Sequence, residues 1–439
     1  MNITSPTSEE QKEKLPRRIG LWGLWMLVVN GLIGAGIFGL PGGAAALAGE
    51  YSVLMYAVAA ILILPIILSF AELGSYYQGT GGPIRYGTEA FGSFVGFQSG
   101  WLYYMARVIS FSANSVLLVD SIGYFFDPIT EGAGRILSLA IICVSLTLIN
   151  ILGTVESIRS LALFTLLKFG VLVILVIGGF VYLGTTVIPA FDQPIPAGSD
   201  IGAAVVLLIY AFVGFEGGIV PAGETKEPHR NMPKAFILGL VSVTILYMFI
   251  QTVAQGLVPD LADSEAPLLE AASVLFGEVG SVILMGGIVA SVTGNLVSNL
   301  FATPRITYAL SIEKALPTWF GKVHPAFLTP ANSILFFGGF AFLGAVFGSF
   351  TFLAAMTVLS RALLYLISCA SIPVLRPRYQ EKDIFILKGG YVIPVLGIIA
   401  CIWLLFQVSF TSLWMTLVFI AVGSILYLAG RSSVLKIQD

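Results

Sequence analysis

Apolar stretches long enough to cross a bilayer recur along nearly the whole chain, separated by short polar connectors. A span needs about 20 apolar residues, and by that rule the pattern predicts about twelve. They are centred near residues 19–48, 52–74, 94–125, 135–153, 160–184, 200–221, 234–258, 279–309, 330–349, 352–375, 391–409 and 411–430. The third and eighth of these are long enough to continue as helices beyond the bilayer. Two spans are interrupted by residues a lipid-facing helix should avoid. The first reads Asn30-Gly31-Leu32-Ile33-Gly34-Ala35-Gly36-Ile37-Phe38, and the sixth reads Tyr210-Ala211-Phe212-Val213-Gly214-Phe215-Glu216. Glycine weakens a helix and a carboxylate in hydrocarbon is expensive, so neither run suits a plain anchor.

Composition agrees with this pattern: 57% of the 439 residues are hydrophobic and 10% charged, with a mean hydropathy of +0.94. These values exclude an ordinary soluble domain and predict an all-α integral membrane protein. Lys and Arg near span ends are retained in the cytoplasm. With the N-terminus inside, Lys12, Lys14, Arg17, Arg18, Arg85, Arg159, Lys226, Arg230, Lys234, Arg305, Lys314, Lys322, Arg376, Arg378, Lys382, Lys388, Arg431 and Lys436 all fall on the inner side, and Arg135 falls outside. Asp260 to Glu278 carries five acidic residues and no Lys or Arg, as an outer loop would. Both termini are therefore expected in the cytoplasm of a plasma membrane, the bacterial inner membrane. The net charge of −2 is sorted by side and forms no patch for nucleic acid.

Cys143, Cys369 and Cys401 lie inside apolar spans without metal spacing and read as packing residues. His229 and His324 are too few and too far apart for a metal site. No cofactor or metal is expected. The first apolar segment is longer than a signal-peptide core and is read as retained. The polar stretches at the N-terminus and around 186–199, 223–233 and 376–389 read as tails and connectors.

The two breaks suggest an internal organisation. A cut before the sixth span leaves each half opening with a broken helix, and an odd number of spans per half inverts the second half. The expected division is a cytoplasmic tail over 1–18, a first repeat of five helices over 19–185, and a second over 199–375. Two extra helices follow over 391–430, then a tail over 431–439. Paired breaks of this kind expose unbonded backbone groups near the midplane, where they can hold a small zwitterion. The small residues at Gly31, Gly34 and Gly36 have a second explanation, since they also let a neighbouring helix approach closely.

Five motifs in order carry a resemblance. They are Gly34-Ala35-Gly36, the Tyr210-to-Glu216 run, the tail from Ala222 to Ala235 (AGETKEPHRNMPKA), Gly81-Gly82-Pro83-Ile84-Arg85-Tyr86, and Pro304-Arg305-Ile306-Thr307-Tyr308-Ala309-Leu310. Over roughly residues 19–378 the chain resembles the amino acid/polyamine/organocation transporter family. The resemblance implies a substrate α-carboxylate on the N–H groups around Gly34, Ala35 and Gly36, with the Leu32 and Ile33 carbonyls nearby. A restarted helix offers free N–H groups and partial positive charge there. It implies unwound carbonyls at Tyr210, Ala211 and Val213 for the substrate ammonium, and an aromatic gate at Tyr210 that could also offer a cation–π surface. A packed aromatic with a satisfied hydroxyl is the other reading of Tyr210.

Glu216 lies within the membrane and could carry a proton during transport, or serve a structural or gating role through hydrogen bonds to the unwound backbone. Relatives that work without sodium often carry a lysine at the place of Lys168. Its ammonium could be a fixed cation bridging the first and eighth helices, with Ser291 and Thr293 as neighbours, or a proton carrier. Snorkelling is disfavoured because Lys168 lies about eight residues, ~12 Å of helix, inside its span. Arg107 and Arg361 could bind an acidic substrate side chain or hold helices together by pairing with carbonyls, Asp120 or Glu216. Tyr104, Arg107, Ser291, Thr293 and Arg361 form the candidate side-chain pocket.

These features together predict a sodium-independent amino-acid transporter working by alternating access, through proton symport or exchange. Its partners would be a small amino acid, the bilayer and a possible proton; the oligomeric state is not legible. A membrane sensor without flux and an exchanger for polyamines or decarboxylated amino acids are the alternatives. A membrane enzyme would need a nucleophile with a base or a metal cluster, and a channel a symmetric ring of ligands.

Overall fold

The computed structural model describes residues 19–76, 82–152, 158–184, 191–218, 225–379, 385–407 and 409–435. Lys12, Lys14, Arg17, Arg18, Gly81, Ala222, Gly223, Glu224, Lys382 and Lys436 lie outside the described residues. The chain is all-helical: α1 (Leu21–Leu32), α2 (Gly36–Ala48), α3 (Ser52–Tyr76), α4 (Gly82–Phe91), α5 (Ser93–Gly123), α6 (Gly132–Ile151), α7 (Ile158–Leu183), α8 (Gly198–Phe212), α9 (Pro228–Leu257), α10 (Pro267–Ala302), α11 (Pro304–Ile312), α12 (Ala331–Phe347), α13 (Phe350–Leu375), α14 (Val392–Phe406) and α15 (Phe410–Leu435). Taking α1 and α2 as two halves of one span, and setting aside the short helices α4 and α11, the described residues form twelve apolar spans. Among those residues the only extended pairing is an isolated bridge between Ile19 and Thr225.

The helix ends follow the local chemistry. Proline opens α9, α10 and α11, where its missing N–H costs nothing. Ser349 opens α13 by accepting from the Phe352 N–H at 3.4 Å. α10 begins at Pro267, twelve residues before the expected 279, because a kink at Gly277 (φ 65°) joins a preceding helical segment to the span. The acidic stretch from Asp260 to Glu278 is therefore largely helical. The carbonyls of Leu261 and Ser264 press on Gly42, so this stretch covers the far end of α2.

α5 is the central mast. In its most apolar window 89% of the residues are buried, against 17% in α6 and 22% in α15, which present their sides to lipid. α4, α10, α12 and α13 pack against α5, while α1 packs on α9 and α2 on α8. The two broken spans thus lie against each other, flanked by α5, α10 and α13.

Candidate functional site

The first break is short. Asn30, Gly31 and Leu32 stay in α1, and the helix stops only at Ile33, whose ψ of 84° leaves the helical region. Gly34 N–H donates back to the Leu32 carbonyl at 2.9 Å, and α2 restarts at Gly36 with Ala35 as a cap that supplies no side-chain acceptor. Phe38 N–H donates to Ala35 O at 3.1 Å, while the Gly36 and Ile37 N–H groups have no side-chain cap, which is the arrangement that attracts an anion. A Cβ at Gly34 would find only the Asn295 Nδ2, at 3.7 Å. Gly36 differs: a Cβ there would lie 3.1 Å from the Ala211 Cα and 3.2 Å from the Tyr210 ring, so this glycine serves the close approach of α2 to α8.

The second break comes three residues later than expected. Tyr210 and Ala211 are in the last turn of α8, not unwound, because the helix runs on to Phe212 before Val213 (ψ 140°) and Gly214 (φ 114°) turn the chain. Only glycine adopts that φ without strain. The terminal carbonyls still need donors. Tyr210 O accepts from Val213 N–H at 3.3 Å, and the Tyr247 hydroxyl lies 3.3 Å from Ala211 O and 2.9 Å from Leu32 O, joining the two breaks.

Lys168, on α7, reaches the end of α1. Its Nζ donates to Asn30 O at 3.0 Å and Ile33 O at 2.5 Å, placing a cation at the negative pole of the half-helix. Among the described residues it makes no hydrogen bond to Ser291 or Thr293, so a bridge to α10 is not what the geometry contains. Ser291 is buried with its hydroxyl unpaired, and Thr293 is partly exposed.

A polar chain crosses the core above these groups. The Tyr210 hydroxyl donates to Asn114 Oδ1 at 3.0 Å and lies 3.4 Å from Ser110 Oγ, while Asn114 Nδ2 donates to Asn295 Oδ1 at 2.9 Å. The Tyr210 ring meets Phe350 edge-on at 5.9 Å. On the other side of the second break, Glu216 Oε1 accepts from Arg361 Nη1 at 2.5 Å and from the Tyr365 hydroxyl at 2.5 Å, and Oε2 accepts from Gly214 N–H at 3.0 Å. This buried carboxylate holds the turn that follows α8. Asp120 pairs instead with Arg135 at 2.8 Å, so it is not the partner of Arg107 or Arg361.

The sequence as a whole matches the family model described as amino acid permease over residues 19–430. The chain belongs to the amino acid permease family. The permease is 28% identical to the branched-chain amino acid permease of Bacillus subtilis, over 97% of this chain and 95% of that one. It is 28% identical to the serine/threonine exchanger of the same organism, over 87% of each chain. It is 26% identical to the methylthioribose transporter of Bacillus subtilis, over 96% and 95%. These relatives are named as transporters, not enzymes.

Of the residues singled out in the permease sequence, Leu32, Ile33, Gly34, Tyr210, Ala211, Val213, Glu216, Lys168 and Arg361 gather around the two breaks, with Ala35 and Gly36 at the start of α2. Tyr104 does not: it stacks on Trp101 at 5.6 Å and packs against Phe337 on α12, because it is turned about 100° around α5 from Tyr103. Sequence reasoning missed Ser110, Asn114 and Asn295, which are ordinary polar residues in otherwise apolar spans. The spacing of Tyr103, Arg107, Ser110 and Asn114 at three or four residues is the signal that could have found them, since it marks one polar stripe on a membrane helix.

Proposed function

We propose that the permease is a sodium-independent amino-acid carrier of the plasma membrane that works by alternating access, with residues 19–185 and 199–375 as inverted repeats and both termini cytoplasmic. The α-carboxylate docks at the start of α2 beside Gly34, and the ammonium meets the end of α8 around Val213. The broken helices then move against the scaffold of α5 and α10, with Tyr210 closing over the ligand. The observation that carries this reading is Lys168: its ammonium occupies the Asn30 and Ile33 carbonyls, so a fixed positive charge stands where a coupling cation would have to bind.

Exchange is the favoured coupling. Both oxygens of Glu216 are engaged by Arg361, Tyr365 and Gly214, which suits a structural tie better than a group that gains and loses a proton each cycle. Proton symport through Lys168 is the second reading, supported by its lack of a carboxylate partner among the described residues: losing its proton would strand no bare anion.

Purified protein in proteoliposomes tests these readings together. Uptake of labelled amino acids should persist when sodium is replaced by choline and should be stimulated strongly by internal amino acid. Sodium-dependent uptake would overturn the role given to Lys168. Uptake driven by an inward proton gradient from empty vesicles would replace exchange with symport, and binding without any flux would make the protein a sensor.

A further inference from the structure

The polar stripe of α5 carries a charge that the carrier reading leaves unused. Arg107 sits one turn from Ser110, with its own carbonyl accepting from Asn299 Nδ2 on α10 at 3.0 Å. Its guanidinium donates to the Tyr103 hydroxyl, at 2.8 Å from Nη2 and 3.2 Å from Nε, and lies 5.2 Å from that ring's centroid. Arg361 approaches the same ring at 5.7 Å. Two guanidinium groups therefore share one phenol, next to the turn that Glu216 holds.

The carboxylates nearby do not balance them. Glu216 is paired with Arg361 and lies within electrostatic reach of Arg107 as well, Glu72 is taken by Arg376 and Asp120 by Arg135; among the described residues Arg107 forms no ion pair of its own. Arg361, 2% exposed, still has an Nε without an acceptor. With Lys168, the centre of the bundle holds three cationic side chains and one anionic one. Arg107 is partly exposed although Ala106 and Val108 beside it are buried, and Gly34, Tyr103, Val213, Gly214 and Asn295 are partly exposed as well. These partly exposed positions lie on the two breaks and on the helices that flank them.

We propose that Arg107 is a specificity-determining residue that receives an anionic substrate side chain, which makes acidic amino acids the preferred class for this permease. The proposal rests on reading the helix breaks as the amino-acid site. A zwitterion cancels its own charge and would leave Arg107 sharing the single Glu216 carboxylate with Arg361 when the site closes and excludes water. A side-chain carboxylate neutralises it through charge-assisted, fork-like hydrogen bonds, and the free Nε of Arg361 is a further donor in the same cluster. A polyamine or cationic amino acid would add like charge to a cationic pocket, which counts against the polyamine alternative.

The test compares L-glutamate with L-glutamine, which share a shape and differ in side-chain charge, in proteoliposomes of the full-length protein. Glutamate should have the higher apparent affinity by about tenfold or more. This wild-type ratio decides the substrate class without any variant. Arg107→Gln should lower the ratio by about tenfold, and Arg107→Lys should keep only part of it, since the charge remains while the planar fork is lost. Equal affinities in the wild type, or equal weakening of both ligands in Arg107→Gln, would overturn the proposal and leave the carrier reading intact. Glutamine uptake that requires chloride, with gluconate as the replacement, would make the missing anion an inorganic ion and overturn it too. If no amino acid is taken up and none shifts the melting temperature of the purified protein, the breaks are not an amino-acid site and both readings fall.

Discussion

Gly31 and Gly214 meet backbone to backbone at the crossing of the two broken spans. A Cβ on Gly31 would lie 2.5 Å from the Gly214 carbonyl oxygen, and one on Gly214 would collide with the Gly31 carbonyl oxygen in turn. Such contact requires two glycines, one on each side.

Gly214→Ala should be the more damaging change of this pair, because it adds left-handed strain at φ 114° to the collision. A cost of about 2 kcal/mol or more is expected, read as a lower melting temperature in detergent and a loss of uptake. Gly31→Ala should destabilise less, since α1 has ordinary helical geometry there. Equal stability of both variants and wild type would show that the breaks separate more freely than their contact implies.

Glu216→Ala should be severely destabilising, by about 3–5 kcal/mol, because it leaves the buried Arg361 guanidinium without its counter-charge and frees the Gly214 N–H. Adding Arg361→Met should recover much of the loss, as removing both partners also removes the stranded charge. The check is the expression level and melting temperature of the single and double variants. Strict additivity would mean that the pair is not coupled.

Tyr210→Phe should keep the ring against Phe350 and lose only the hydroxyl, at about 1 kcal/mol for the bond to Asn114. Transport should fall a few-fold. Tyr210→Ala removes the ring as well, and nearly complete loss of uptake is expected. If Phe proved as defective as Ala, the hydroxyl network through Asn114 and Asn295 would be the functional element and the covering ring incidental.

Lys168→Met should abolish uptake, since the Asn30 and Ile33 carbonyls lose their donor and the α1 end loses its cation. The informative measurement is uptake by this variant with and without sodium. Partial rescue by sodium ions would show that the carbonyls form a cation site once the ammonium is gone, and Lys168→Arg would be expected to rescue poorly because the planar guanidinium is larger than the ammonium it replaces.

The twelve spans and the two broken helices were legible in the sequence, because a span of apolar residues and a glycine-rich interruption are local properties of the chain. So was the family, through five short motifs in order. The limits of the breaks were not legible: Tyr210 and Ala211 remain helical because a helix ends where the backbone first cannot continue, here at Val213 and Gly214. Composition also could not assign faces. Tyr103 and Tyr104 are adjacent identical residues, yet a rotation of about 100° along α5 sends one to the two arginines and the other to Trp101 and Phe337.

Partnerships between distant charges were decided by the tertiary structure alone. Glu216 could have paired with Arg107 or Arg361, and Lys168 could have bridged to α10. Which of these forms depends on how α5, α7 and α13 are rotated and placed around the broken spans, a relation that no single helix encodes. The sequence by itself determined that intramembrane charges exist and must be compensated, since hydrocarbon tolerates few that are not. Packing decided which were compensated directly, giving Glu216 to Arg361 and leaving Arg107 without an ion pair of its own among the described residues.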